Sequence, residues 1–373
     1  MVMPEFWFRY GVTEVSLEVP EEVSCEKLEV KELKPGEEVW RKVTDLAEEV
    51  EGDAGSGEVV IAYDHSGDKL LLMILKHLIE SLEGEVGGIT LITSCWRLDP
   101  SEGKEHLRRS LKKYGLDVKV LDADECELAE LGGIPVARKL LESPVSVILA
   151  GSEPHGILGK ASVSEALVLG GFLKPRLEAD ESLREVIGEA WTRAVEELNL
   201  KAITILKDQL LAGDADDIAR AVEDADMSIP VGDFDVVIAG CGGAPRDSSF
   251  QQVAHVVGLL EESVKDGGLI GVIAECKRGL GSREFLEAAF GDRGSPLDRE
   301  LIRLLRRVSE GRRIAFTSAL PRSLLRSLFD IRGFDTPQDM LTYALRLYSR
   351  SARILILERA GVKPVRSILR ERS

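Results

Sequence analysis

Side-chain amides are nearly missing from this chain, which holds one Asn (Asn199) and four Gln (Gln209, Gln251, Gln252, Gln338) in 373 residues. Amides deamidate on heating, and charge networks cost less to desolvate when hot. Their scarcity beside abundant Arg, Glu and Asp is therefore a thermophile composition, of archaeal type; the acidic excess also suits a salty cytoplasm. No apolar run approaches the roughly 18 residues that span a bilayer, so no membrane partner is expected. Met1 to Pro20 carries Glu5, Arg9, Glu14 and Glu18, unlike a secretory signal, and a cytoplasmic location is the expectation. Cysteine is scarce as well: five residues, an odd number, none in a C-x-x-C pair, which argues against a disulfide framework. H-x-x-x-H, the P-loop and G-x-G-x-x-G are absent, against zincins, P-loop NTPases and Rossmann dehydrogenases. Cations are outnumbered, 48 Lys and Arg against 65 Asp and Glu, and the net charge of −17 repels nucleic acid overall. The basic tail (Lys363, Arg366, Arg370, Arg372) reads as a solvated last helix.

What is present is a repeating unit of short apolar run, Gly or polar loop, then helical pattern. The spacing predicts strands at 59–63, 89–93, 145–150, 234–239, 269–274, 314–318 and 354–357. Helices are predicted at 69–82, 181–198, 215–222, 251–265, 296–310, 323–328 and 337–349. Another helix starts with Asp99 as N-cap, Pro100 at N1 and Glu102 at N3. Continuous apolar strands alternating with helices mean parallel sheets covered on both faces. The first forty residues differ, since 15–19 and 28–33 alternate in type as antiparallel or edge strands do. The expected architecture is α/β, in two α/β domains with mainly parallel sheets and a cleft between them at the carboxyl ends of the strands. The domains are placed at 1–228 and 229–359, linked near Met227–Asp233, with the tail 360–373 packed on the first.

In open α/β sheets ligands bind beyond the carboxyl ends of strands, and the reactive side chains gather there: Asp64-His65-Ser66-Gly67-Asp68, Cys95-Trp96-Arg97, Ser152-Glu153-Pro154-His155-Gly156, Cys241-Gly242-Gly243-Ala244-Pro245-Arg246-Asp247 and Glu275-Cys276-Lys277-Arg278-Gly279. His155, Asp64 and His65 are the catalytic candidates. Trp96, Arg97, Gly242, Gly243, Arg246 and His255 are the substrate-binding ones. The Gly242-Gly243 turn brings backbone N–H groups toward an anion and Arg246 adds a charge, so a small-molecule anion is the expected partner. Plainer readings stand beside these: His65 as a helix cap, Trp96 as packing, the Gly turn as an ordinary strand-to-helix turn. His77 and His106 lie in helical patterns and read as surface residues. Cys95, Cys241 and Cys276 fall at strand ends, where they either converge on a metal or an iron–sulfur cluster or are simply small residues; no metal site is expected.

Taken in order, several of these motifs resemble the nickel-dependent lactate racemase family. They are Tyr63-Asp64-His65-Ser66, the helix ending in Lys113-Tyr114-Gly115, Glu153-Pro154-His155, Gly242-Gly243-Ala244-Pro245-Arg246-Asp247 with Gln252, and Glu275-Cys276-Lys277-Arg278-Gly279-Leu280-Gly281 with Phe285. The resemblance spans about residues 55 to 330 and implies two α/β domains. It also implies hydride transfer through a nickel pincer cofactor tethered to a lysine, with two histidines as acid and base on a 2-hydroxy acid. His155 stands at the second histidine and Gln252 at a substrate-contacting glutamine. The first histidine falls at Trp96, a carboxylate-binding arginine at Gly67, the cofactor lysine near Ser164-Glu165 with only Lys160 nearby, and a family lysine at His255. The nickel-ligand histidine has no counterpart, because no His lies between 155 and 255. The resemblance with these departures implies a divergent member without the nickel pincer. It is either an isomerase-type enzyme acting on a small carboxylated or phosphorylated compound, or a non-catalytic small-anion-binding or accessory protein on the same fold.

Overall fold

A computed structural model describes residues 4–30, 33–116, 118–177, 181–206, 208–225, 229, 232–291, 293–360 and 365–368. The chain divides into two compact units. One comprises Glu32–Ser152 and Lys160–Asp226; the other comprises Met1–Lys31, Glu153–Gly159 and Met227–Ser373.

The first of these units is a six-stranded sheet in the order Gln209–Asp214, Leu200–Leu206, Ser146–Gly151, Glu58–Asp64, Gly88–Ser94, Lys119–Asp122. All neighbours are parallel except the outermost pair, Leu200–Leu206 with Gln209–Asp214. Because side chains alternate along a strand, each strand feeds two cores. Val59, Ile61, Tyr63, Leu91, Val147 and Leu149 pack with helices Glu37–Ala54 and Lys69–Leu82. Val60, Ala62, Ile92, Ile148 and Ala150 pack with Val163–Leu169 and Leu183–Glu197 on the other face. Double coverage is why these strands read as unbroken apolar runs. The Asp99 cap forms as predicted, its side chain accepting from the Glu102 amide at 3.3 Å. The direction of winding reverses between Glu58–Asp64 and Ser146–Gly151, and Asp64-His65-Ser66 therefore leaves the sheet at its topological switch point.

The second unit is a seven-stranded sheet in the order Arg332–Phe334, Arg313–Thr317, Val264–Ile273, Phe234–Gly240, Arg353–Leu357, Ser24–Val30, Val365–Ile368. It is parallel except at Val365–Ile368, which runs antiparallel to Ser24–Val30. One face packs Val237, Ala239, Ile270, Val272 and Phe316 against Pro296–Gly311 and Arg322–Phe329. The opposite face, carrying Val236, Ile238, Ile354 and Ile356, is covered by helix Pro337–Tyr348. The antiparallel hairpin Glu5–Tyr10/Thr13–Glu18 covers it too, through Phe6, Phe8 and Leu17. Here the switch point lies between Phe234–Gly240 and Arg353–Leu357, where the glycine turn begins.

The predicted division at 228 changes in three places. The first thirty-one residues join the second unit, because Ser24–Val30 pairs in register with Arg353–Leu357. Glu153–Gly159 joins it as well. The tail contributes Val365–Ile368 to that same sheet, a strand and not a helix. Lys363, Arg370, Arg372 and most of the Met227–Asp233 link lie outside the described residues. Among described helices none is long and apolar enough to cross a membrane.

Candidate functional site

In the second unit the turn after Phe234–Gly240 is shaped by glycines. Gly243 has φ +76°, and a Cβ on it would lie 2.9 Å from both Arg9 Cβ and the Gly11 oxygen. Only a residue without a side chain fits both demands. The partner of this turn is the tip of the N-terminal hairpin. Ala244 N–H donates to the Gly11 oxygen at 2.8 Å, and Gly11 N–H donates to Asp247 Oδ2 at 2.8 Å. Asp247 Oδ2 also accepts from the Glu275 amide at 3.1 Å, and burial raises its pKa despite these amides. Tyr10, beside Cys276 and Glu275, has its hydroxyl pushed up to about 12, mainly by burial. Neither Tyr10 nor Gly11 stood out in the sequence, since nothing local signals that a hairpin so far upstream seals this turn.

Two histidines meet next to it. Gly156 packs its backbone on the 255–258 turn, where a Cβ would lie 2.0 Å from the His255 oxygen and 3.1 Å from Gly258 Cα. That close approach lays the His155 ring parallel to His255, 4.2 Å apart at 4°. His155 Nδ1 accepts from the Ile157 and Leu158 amides, both at 3.3 Å, so in the neutral ring the proton resides on Nε2. The helix predicted over 251–265 is correspondingly broken at His255 into Phe250–Ala254 and Val256–Leu260. Gln252 lies three residues before His255, on the same side of this helical stretch. Its Oε1 is buried and has no hydrogen-bond partner among the described residues. Its neighbour Gln251 is a structural clamp, donating to Asp298 Oδ1 and accepting from the Ser282 amide, each at 2.7 Å.

Arg246 does not stand alone at the turn. Its Nη1 donates to Glu153 Oε2 at 2.7 Å, with the two side chains 16% and 7% exposed. Lys277 lies 3.9 Å from Glu275. The expected positive pocket is thus a set of matched charges. Glu153 was not a candidate by sequence. The signal that could have found it is its place two residues before His155 on a strand, hence on the same side.

The Asp64 loop belongs to the first unit. Asp64 is fully buried and pairs with Arg97 Nε at 2.7 Å; the guanidinium also lies 5.0 Å from the Trp96 ring. His65 is fully buried, with Nδ1 3.1 Å from the Tyr63 hydroxyl and Nε2 2.8 Å from His106 Nδ1. Both ring nitrogens are therefore engaged within the protein. His106 is a half-buried partner and no surface residue; burial, then Arg109, lowers its pKa. His77 is partly buried too, 3.0 Å from Thr44 Oγ1. Asp68 caps helix Lys69–Leu82. Ser66 Oγ is buried without a partner among the described residues.

Cys241 and Cys276 lie in one buried cluster, where burial raises both thiol pKa values well above normal. Cys95 packs against a core of the first unit, its pKa pushed up to about 12 by burial. Such thiols are poor nucleophiles. Among the described residues no group of three or more His, Cys, Asp or Glu is placed to hold a metal ion. Where the resemblance puts the tethering lysine stand Ser164 and Glu165, with Lys160 nearby. Glu165 Oε2 accepts from the Ser162 amide and from Ser164 Oγ, both at 2.8 Å, closing a helix cap. Lys160 Nζ is spent on the Glu223 carbonyl.

No protein-family model and no curated protein matches this sequence. Solved structures do. The lactate racemase apoprotein from Thermoanaerobacterium thermosaccharolyticum superposes over 99% of this chain and 100% of its own, with a TM-score of 0.71 at 15% identity. A protein from Thermotoga maritima matches over 87% of this chain and 97% of its own, with a TM-score of 0.59 at 13% identity. The chain therefore has the lactate racemase-like fold, in a sequence that has diverged far from both.

Proposed function

We propose that this protein is an isomerase-type enzyme acting on a small carboxylated or phosphorylated compound, with His155 as its acid–base group and no lysine-tethered nickel pincer. The observation that carries this reading is the His155 ring, whose Nδ1 accepts from two backbone amides, so that Nε2 carries the proton it can donate to a substrate atom. Gln252 Oε1, buried and unpartnered, supports a polar ligand group beside it. Arg246, with five donors of which Glu153 takes one at Nη1, supports an anionic one. Two rings stacked 4.2 Å apart leave no room for a substrate carbon between them, so the chemistry supported is proton transfer from one face.

The test is incubation of the protein in D2O with a panel of small hydroxy carboxylates and their phosphate esters, followed by NMR and chiral chromatography. Deuterium entering one substrate, lost in His155→Asn with the fold intact, is the expected result. No exchange with any panel member refutes the catalytic reading. One observation favours the second reading, a non-catalytic anion-binding protein: both arginines of the two clusters already hold a buried acid, Arg97 with Asp64 and Arg246 with Glu153. Stoichiometric binding without exchange would establish it.

A further inference from the structure

Three side chains of the first unit form one hydrogen-bonded chain that the acid–base reading does not use. Tyr63 is fully buried, and its hydroxyl lies 3.1 Å from His65 Nδ1. His65 is fully buried too, and its Nε2 lies 2.8 Å from His106 Nδ1, with the two rings stacked 5.0 Å apart at 21°. His106, on helix Pro100–Tyr114, is half-buried and is the end of the chain nearest to water. From this geometry we infer that Tyr63, His65 and His106 form a pH-sensitive switch, in which one proton taken up at His106 reverses the direction of hydrogen bonding along the whole chain. The switch does not depend on what the protein binds.

Counting hydrogens fixes the two states. Only one hydrogen fits between two ring nitrogens 2.8 Å apart. Burial, then Asp64 and Asp68, hold the Tyr63 hydroxyl protonated, with its pKa well above the ordinary value, so in the neutral state Tyr63 donates to His65 Nδ1. His65 then carries its own hydrogen on Nε2 and donates to His106 Nδ1, and His106 carries its hydrogen on Nε2. An added proton gives the two rings three hydrogens. One stays between the rings, one stays on His106 Nε2, and the third must occupy His65 Nδ1. Tyr63 must then accept where it had donated, and its hydroxyl hydrogen turns away. Burial, and after it Arg109 on the same helix and Lys69 on helix Lys69–Leu82, oppose the proton on His106, while Glu102 favours it. Cys95 and Tyr114 also face Tyr63. These groups set the pH of the change; the three linked groups set its direction. The reversal falls on Asp64-His65-Ser66, where the chain leaves the sheet at its switch point.

The experiment is nitrogen-15 NMR of the full chain labelled at histidine, titrated from about pH 8 downward through the ordinary histidine pKa of about 6.5. The five histidines are assigned by replacing His77, His106, His155 and His255 with Gln one at a time. In the wild type, His65 is expected to carry hydrogen on Nε2 and not on Nδ1 at the upper end, and to gain hydrogen on Nδ1 with the same midpoint at which His106 titrates. In Tyr63→Phe, which removes the donor and keeps the ring, His106 is expected to titrate at higher pH than in the wild type. The wild-type titration needs no change at Tyr63 and decides the matter if that variant fails to fold. A His65 ring that keeps Nδ1 bare throughout the titration of His106, or that carries hydrogen there from the start, overturns the inference. So does a Tyr63→Phe protein in which His106 titrates as in the wild type, and so does a pair that takes up no proton before the protein unfolds.

Discussion

Replacing Arg97 by Leu removes the cation held 2.7 Å from Asp64, in a pair whose side chains are 3% and 0% exposed. The Asp64 carboxylate, buried at the switch point of the first unit's sheet, then loses that cation. Removing one partner of a buried pair costs about 3–5 kcal/mol, most of it the penalty of the stranded charge. For a body of this size each kcal/mol moves the midpoint by about 2–4 °C, so a drop of roughly 6–20 °C is expected. Adding Asp64→Asn removes the charge that was stranded and should restore most of the loss. Three of the four tryptophans, Trp40, Trp96 and Trp191, belong to this unit. Urea unfolding followed by tryptophan fluorescence therefore reports mainly on it. A cost below about 1 kcal/mol for Arg97→Leu, or a double variant as unstable as the single one, would refute the reasoning.

Three further outcomes follow from the same geometry. Gly156→Ala places a Cβ 2.0 Å from the His255 oxygen, so the His155 segment must move; we expect a loss of about 1–3 kcal/mol and of any ligand-induced thermal shift, and full binding in the variant would count against the seating described. Burial, with Arg109 beside it, holds the His106 pKa below the ordinary histidine value, so its contribution to stability is full above about pH 6.5 and is lost as pH falls. The stability gap between wild type and His106→Gln, measured by urea titration, should therefore narrow on acidification, and a gap independent of pH would exclude His106 as the cause. Intact mass after co-expression with the enzymes that make the nickel pincer should equal that of the bare polypeptide, since Glu165 closes a helix cap where the tether would be; added mass with bound nickel would contradict this.

Strand and helix placement was legible because doubly covered strands are apolar throughout and most helices begin at Asp, Ser or Pro. Lys69–Leu82 and Pro296–Gly311 match their predicted spans closely. Leu200–Leu206 was not legible: it follows a helix with only Leu198 and Asn199 between, and neither Gly nor Pro marks the boundary. The division of the chain was misread because strand pairing is non-local. Nothing in Ser24–Val30 announces a partner at Arg353–Leu357. At the candidate site, proximity to strand ends singled out His155 and Arg246, and the family resemblance singled out Gln252. Neither signal could tell a side chain presented to ligand from one already engaged by its own protein. His65, held by Tyr63 and His106, Arg97, held by Asp64, and Arg246, held by Glu153, are engaged in this way.

The pairing of Ser24–Val30 with Arg353–Leu357 also fixes when this protein can come into being on the ribosome. The strand made among the first is completed by one made among the last. Until then Ser24–Val30 has no neighbour to pair with, and the face that the hairpin covers lacks Ile354 and Ile356. Long-range closure of this kind is slow and leaves apolar strands exposed while it waits. A nascent chain that has not yet reached Arg353–Leu357 therefore holds an incomplete sheet behind the glycine turn.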